Sequence, residues 1–241
     1  RPGITTIVKR QLAGPGPRGE RMGRLSSKPA ESRLVKVPAS QVTLNAILTV
    51  PEKARGIVIF VHGSGSSRLS PRNQFVARSL NQAGLATLLF DLLTPAEELN
   101  EQGGQFRFNI ALLAGRLLEV TRWVAENPGT SHLKVAYFGA STGAAAALFV
   151  AARQPESVKA IVSRGGRPDL AGSTLPLVKA PTLLIVGGND PEVIRLNEKA
   201  LDLLSCKKKL EIVRGATHLF EEPGTLEQVA SLAQNWFEQN L

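Results

Sequence analysis

From about residue 32 onward the chain alternates apolar runs with amphipathic blocks. "RLVKVP" and "VTLNAILTV" read as two strands that form a hairpin or meander. "GIVIFVH", Gly56 to His62, is continuously apolar, as a strand buried on both faces must be. "SPRNQFVARSLNQAG" has helical spacing and a glycine stop. "LATLLFD", Leu85 to Asp91, predicts another buried strand, and "FNIALLAGRLLEVTRWVAEN", Phe108 to Asn127, a long amphipathic helix. Strand and helix then alternate: "KVAYFG" with "TGAAAALFVAARQ", "VKAIVSRG", "PTLLIVGG" with "PEVIRLNEKALDLL", "KKLEIVRG" with "TLEQVASLAQNWFEQN".

Strands that are apolar throughout, alternating with helices, predict an α/β fold with a mainly parallel central sheet covered by helices on both faces. Such a sheet places its site at the carboxyl ends of its strands. The residues just after each strand are therefore the ones that carry chemistry.

Composition narrows the class. At 241 residues and 43% hydrophobic, the chain can bury one sizeable core. Its apolar runs fall short of the roughly 18 residues that span a bilayer, so no membrane is expected. The chain begins at Arg1 rather than methionine, and residues 1–25 hold no apolar core of a secretory signal. Cys206 is the single cysteine, so no internal disulfide forms, and a reducing, cytoplasmic setting is expected. Residues 1–28 carry seven Lys/Arg against Glu20, a net of +6, which leaves only +3 of the total +9 for the rest. Residues 1–31 therefore read as a basic Gly/Pro-containing arm or linker, and residues 32–241 as the folded domain. No aromatic interleaving accompanies the basic arm, so nucleic acid is not an expected partner.

The sharpest strand end is Gly139-Ala140-Ser141-Thr142-Gly143. A strand must turn at once into an alanine-rich helix, and two glycines relieve the crowding. Ser141 is then held out at the top of the sheet beside the free N–H groups of a helix N-terminus, the nucleophile-elbow arrangement. The plainer reading is a tight turn with Ser141 or Thr142 as a helix cap. A serine nucleophile needs a base and a means of holding negative charge. Of the three histidines, His218 in "VRGATHLFEE" directly follows the last strand. His132 precedes a strand, on the wrong side of the sheet, and His62 shapes the loop after its strand. The orienting acid is Asp190 in "GGNDPEV", which is also a good N-cap before Pro191; Asp169 is the substitute. The order Ser141, Asp190, His218 matches the Ser, Asp, His order of the α/β-hydrolase arrangement. "FVHGSGSS" supplies the oxyanion loop, with the N–H groups of Ser64 and Thr142 as donors. It lacks the glycine spacing of a dinucleotide site and the Gly-Lys-Ser/Thr of a P-loop.

Together "HGSG", "GASTG", "GGND" and "GATH" resemble the α/β-hydrolase superfamily over about residues 32 to 241. Within it the chain is similar to the dienelactone-hydrolase-related branch. "VHGSGSSRLSPRN", "FGASTGAAAAL" and "SRGGRPDLAG" look like bacterial members sometimes joined to a phosphoribosyltransferase domain. The resemblance implies Ser141 as nucleophile, His218 as base and Asp190 as acid, and it raises a phosphoribosyltransferase partner, although nothing in residues 1–31 looks like one. Dienelactone hydrolases proper use a cysteine nucleophile; here Ser141 takes that place, and Cys206 lies between a helix and a strand.

The expected activity is cleavage of a small ester or lactone through an acyl-enzyme, with no metal or organic cofactor. Short connecting segments imply an open site with little or no cap domain. Arg68, Arg72, Arg164 and Arg167 follow strand ends and are candidates for binding a substrate carboxylate or phosphate, or else are surface charges paired with nearby acids. The competing functional class is a low-turnover ligand-binding or interaction module that keeps the same fold.

Overall fold

A computed structural model describes residues 30–241. The predicted arm, residues 1–31, lies almost wholly outside the described residues. Strands β1 (Ser32–Ala39) and β2 (Val42–Thr49) form the expected antiparallel hairpin. They are followed by β3 (Gly56–Val61), helix α1 (Pro71–Gln82), β4 (Ala86–Phe90), the short α2 (Pro95–Leu99) and α3 (Ile110–Glu126). Next come β5 (Lys134–Ala140), α4 (Thr142–Arg153), β6 (Val158–Arg164) and a kinked 3₁₀ segment, Pro168–Leu177. The chain closes with β7 (Thr182–Gly187), α5 (Pro191–Leu203), β8 (Lys208–Val213) and α6 (Thr225–Asn240).

The strands form one eight-stranded sheet in the order β1-β2-β4-β3-β5-β6-β7-β8. β2 pairs antiparallel with β4, and every pairing from β4 to β8 is parallel. The apolar runs are continuous because alternate residues serve two cores. Val58 and Phe60 of β3, Phe138 of β5 and Val162 of β6 pack with Val76 and Leu80 of α1 and Ala233 and Phe237 of α6. Ile57, Ile59, Tyr137 and Ile161 face the other way, toward Leu117 of α3, Ala147 of α4 and Ala200 of α5. Burying a side chain of that size stabilises the fold by roughly 1.5–3 kcal/mol. Thr87 of β4 and Ser163 of β6 are buried polar exceptions in mid-strand, and Thr87 is bonded to Asn81.

Two elements were not expected from periodicity: α2 and the 3₁₀ segment. Both are too short to show a helical repeat. The first did leave a signal, since Thr94 and Glu97 form a capping box, Ser/Thr-x-x-Glu. The second is broken at Gly172, with φ 53°, and contains Pro176.

The contact that sets the sheet-to-helix geometry is α4 against β3. A Cβ built on Gly143 would stand 2.1 Å from the Val61 carbonyl oxygen and 2.4 Å from that of His62. Both obstacles are backbone, so Gly143→Ala must push the helix off the sheet. Overpacking of this kind costs about 1–3 kcal/mol or more, and Tm should fall by several degrees at roughly 2–4 °C per kcal/mol for a chain of this size. Gly115, exposed inside α3 with nothing near its built Cβ, predicts the opposite sign. Gly115→Ala should hold or raise Tm, because it removes a helix-interior glycine without a clash. Thermal melts of the two variants check both signs.

Candidate active site

Ser141 stands at the corner between β5 and α4 with φ 49° and ψ −123°. That left-handed backbone is unfavourable for a residue with a Cβ, by about 1–3 kcal/mol, and persists only where its surroundings over-determine it. Here they do. The Ser141 N–H donates to the Arg164 carbonyl at 3.3 Å, and the Ser141 carbonyl accepts from the N–H of Arg167 at 3.0 Å and of Ala144 at 3.1 Å. Although Ser141 occupies the N-cap position of α4, its side chain accepts no cap hydrogen bond from the first turn. The capping alternative is thus not what the hydroxyl does, and it has no hydrogen-bond partner among the described residues.

His218 follows β8, and its Nδ1 lies 2.7 Å from Asp190 Oδ2. A carboxylate only accepts, so Nδ1 carries the proton and Nε2 keeps a free lone pair. Asp190 does double duty, as its position at a strand end before a helix suggests. Oδ2 holds His218, while Oδ1 accepts from the Val193 N–H at 3.4 Å as N-cap of α5. Asp169, the substitute acid, is not near that role: both its oxygens accept from Arg167, at 2.9 and 2.8 Å.

The loops bearing Asp190 and His218 are knitted together. The Asn189 N–H donates to the Ala216 carbonyl at 2.9 Å, Asn189 Nδ2 to the Gly215 carbonyl at 3.0 Å, and the Gly188 N–H to the Val213 carbonyl at 2.8 Å. Gly165, with φ 51°, lets the His218 ring lie against the end of β6; a Cβ there would be 3.5 Å from Cε1. Gly165 sits between Arg164 and Arg167, which hold Ser141 by its backbone. One short segment therefore supports both the serine and the histidine.

After β3, a Cβ on Gly63 would come 2.8 Å from Ser141 Cβ and 3.6 Å from its Oγ, so the His62–Ser64 loop runs directly beside the serine. The two expected donors are not equivalent. Thr142 is the first residue of α4, where an amide has no intrahelical acceptor. The Ser64 N–H is already engaged, donating to Thr142 Oγ1 at 3.0 Å. The threonine hydroxyl thus occupies one of the two amides expected from the sequence to be donors.

His62, expected only to shape a loop, is buried and joins two strand ends. Its Nε2 accepts from the Leu92 N–H at 2.9 Å, so the proton sits on Nδ1, which donates to the Gly63 carbonyl at 2.8 Å. Around it lie residues that the strand-end reading passed over. Asp91, at the end of β4, accepts from the Arg68 N–H at 2.8 Å and pairs with the Arg68 guanidinium. Arg116 of α3 is buried, donates to the Leu92 carbonyl at 2.5 Å and pairs with Glu97. Asp91 was legible by the strand-end rule; Arg116, in mid-helix, was not. His132 is exposed, away from the site.

Of the four arginines, Arg68 pairs with Asp91, Arg72 with Glu221 at 2.9 Å and Arg167 with Asp169. Arg164 is buried and has no acidic partner among the described residues. A cavity of about 630 Å³ opens beside the loop after β3, lined by His62, Gly65, Ser67, Arg68, Arg72 and Asp91 among others. No group of three or more His, Cys, Asp or Glu side chains that could hold a metal occurs among the described residues. Nor does any helix there have the length and apolarity to cross a membrane.

The dienelactone hydrolase family profile matches residues 44–240. The chain belongs to the dienelactone hydrolase family. It is similar to the crystal structure of a dienelactone hydrolase from Anabaena variabilis, with TM-score 0.87 and 57% identity, over 89% of this chain and 100% of that one. Est1E from Butyrivibrio proteoclasticus shares the fold at TM-score 0.71 and 16% identity, over 86% of this chain and 98% of that one. A Mycobacterium tuberculosis protein named "Putative phosphoribosyl transferase" is 59% identical over 213 residues, 88% of this chain and 47% of the relative. The chain thus spans about half the length of the curated relatives it matches. Family and fold together give this chain the α/β-hydrolase fold.

Burial lowers the pKa of His62, despite the opposing pull of the Gly63 bond and of Asp91. The neutral ring is favoured in the fold, so the unfolded chain takes up a proton more readily. This contribution to stability is present above the ordinary histidine value of about 6.5 and is lost as pH falls below it. Tm should therefore drop between pH 7 and pH 5.5. His62→Gln should start from a lower Tm and show a shallower drop, read by thermal melts across that range.

Proposed function

We propose that this chain is a serine hydrolase that cleaves a small ester or lactone through an acyl-enzyme. Ser141 is the nucleophile, His218 the general base and Asp190 the acid that orients it. The observation that carries this reading is the Asp190–His218 bond of 2.7 Å, at the same sheet edge as a serine held at φ 49° whose side chain makes no cap hydrogen bond. A strained corner and a serine that declines to cap its helix have no structural benefit of their own. Both are what a nucleophile at a helix N-terminus requires.

In the proposed cycle His218 Nε2 takes the Ser141 proton as Oγ attacks the carbonyl. The carbonyl oxygen becomes an oxyanion held by the Thr142 N–H and by the Ser64 N–H, which leaves Thr142 Oγ1 to bind it. One such donor typically contributes about 3 kcal/mol to lowering the barrier. His218 then gives its proton to the leaving alcohol, and water, deprotonated by the same ring, releases the acid. The phosphoribosyltransferase connection of the longer relatives points to a partner domain in the same assembly.

Two experiments test the reading. A fluorophosphonate probe should label the wild-type protein and not Ser141→Ala, and turnover of short esters or lactones should vanish in the same variant. Labelling that persists in Ser141→Ala assigns the nucleophile to another residue and overturns the role of Ser141, whereas no turnover across a panel of esters, lactones and thioesters favours a binding module instead. Asp190→Asn separates the acid's two duties. Asparagine caps a helix about as well as aspartate, so Tm should change little, whereas kcat should fall by about three to four orders of magnitude.

A further inference from the structure

β8 ends the sheet, with β7 as its one neighbour among the described residues. The Lys207 carbonyl accepts from the Thr182 N–H at 2.8 Å, and the Val213 carbonyl from the Gly188 N–H at 2.8 Å. Along a strand, successive residues turn their N–H and C=O to opposite sides. Lys209 and Glu211 therefore bond to β7 as Lys207 and Val213 do, while Lys208, Leu210 and Ile212 turn both main-chain groups outward. An open edge of this kind is a template for another strand unless something blunts it. The lysines that could do so are drawn back onto their own domain. Lys208 Nζ donates to the Leu201 and Leu204 carbonyls at 2.6 and 2.7 Å, Lys207 Nζ donates to Asn240 Oδ1 at 3.0 Å, and Lys209 Nζ pairs with Glu211 at 2.6 Å. Ile212 is left 41% exposed on the open strand. The opposite edge strand, β1, differs: it carries Pro38, which has no N–H to give a partner.

We propose that β8 is a dimerisation edge, at which two copies of this chain pair antiparallel about a two-fold axis through Leu210. Only the outward residues can exchange main-chain bonds, which restricts the register to pairings among Lys208, Leu210 and Ile212. With Leu210 opposite Leu210 of the second copy, Lys208 lies opposite Ile212, and every outward group of the strand finds a partner. Lys209 then stands opposite Glu211 in a non-hydrogen-bonded pair, where side chains approach most closely. The symmetry repeats that contact, so the ion pair within each strand becomes part of an alternating ring of charges around the axis. Sliding the second copy by two residues sets Lys209 against Lys209 in one direction and Glu211 against Glu211 in the other, and like charges directly opposite are destabilising. Charge thus selects one register, and it is the register that uses the whole edge. In it the apolar stem of Lys208 also covers the exposed Ile212 of the other copy. Because the copies run antiparallel, their carboxyl edges lie at opposite ends of the joined sheet, and neither covers the Ser141 and His218 of the other.

Sedimentation velocity across the micromolar range reads the association, and amide hydrogen exchange of the same protein reads where it occurs. A concentration-dependent dimer is expected, in which the amides of Lys208, Leu210 and Ile212 are protected and from which they regain exchange on dilution. Lys209→Glu and Glu211→Lys should each weaken the dimer by about tenfold or more, because each sets like charges opposite one another. The two substitutions combined restore opposite charges in the same register and should bring the dimer back. A chain that stays monomeric throughout the range overturns the proposal. So does a dimer that leaves those amides exchanging, since it uses another face, and so does one that both single substitutions leave intact or that the combined substitution fails to restore.

Discussion

The close approach of α4 to the carboxyl end of β3 is the constraint on which the rest of the site depends. Gly143 lets the helix press against the carbonyls of Val61 and His62, and Gly139 does the same from the strand side, where a Cβ would lie 2.5 Å from Ala144 Cα. With the helix this close, the chain has one residue in which to turn. Ser141 absorbs the turn in a left-handed conformation, held by hydrogen bonds from its amide and carbonyl to the end of β6. The strain is local, and the sheet around it is apolar and rigid, with core strand residues that are almost completely buried.

That rigidity is extended outward by polar links between strand ends. His62 ties the loop after β3 to the loop after β4, Arg116 ties the latter to α3, and Asn189 ties the loop after β7 to that after β8. Each link is a side chain bonded to backbone, which fixes a loop's path as well as a contact. The Asp190–His218 pair needs this support, because a hydrogen-bonded imidazole keeps its aim only if both loops hold their places. The Ser64 amide is satisfied by Thr142 Oγ1, since an unpaired amide beside the buried Thr142 would be costly.

Electrostatics divides the same edge into settled and unsettled parts. Arg68, Arg72, Arg116 and Arg167 are each matched by a carboxylate, and these pairs pin loops. Arg164 is the exception, buried on the side of the elbow where α1 and α6 begin. Its Nε and Nη1 have no acceptor among the described residues, unlike the guanidinium groups that pin loops.

Residue order alone determined the alternation of strands and helices, the two-faced burial of the strands and the serine corner. These follow from periods of two and 3.6 and from the local demands of a turn, which depend only on neighbours in the chain. The order Ser141, Asp190, His218 was legible for the same reason, since a parallel sheet delivers every strand end to one edge. What the chain pattern left open was pairing across that edge: Asp190 rather than Asp169 on His218, the Ser64 amide on Thr142, three arginines neutralised and one not. Those choices depend on side chains that are far apart in sequence reaching a common point, and on how much water the packed helices exclude. Only the tertiary structure sets these distances and that burial.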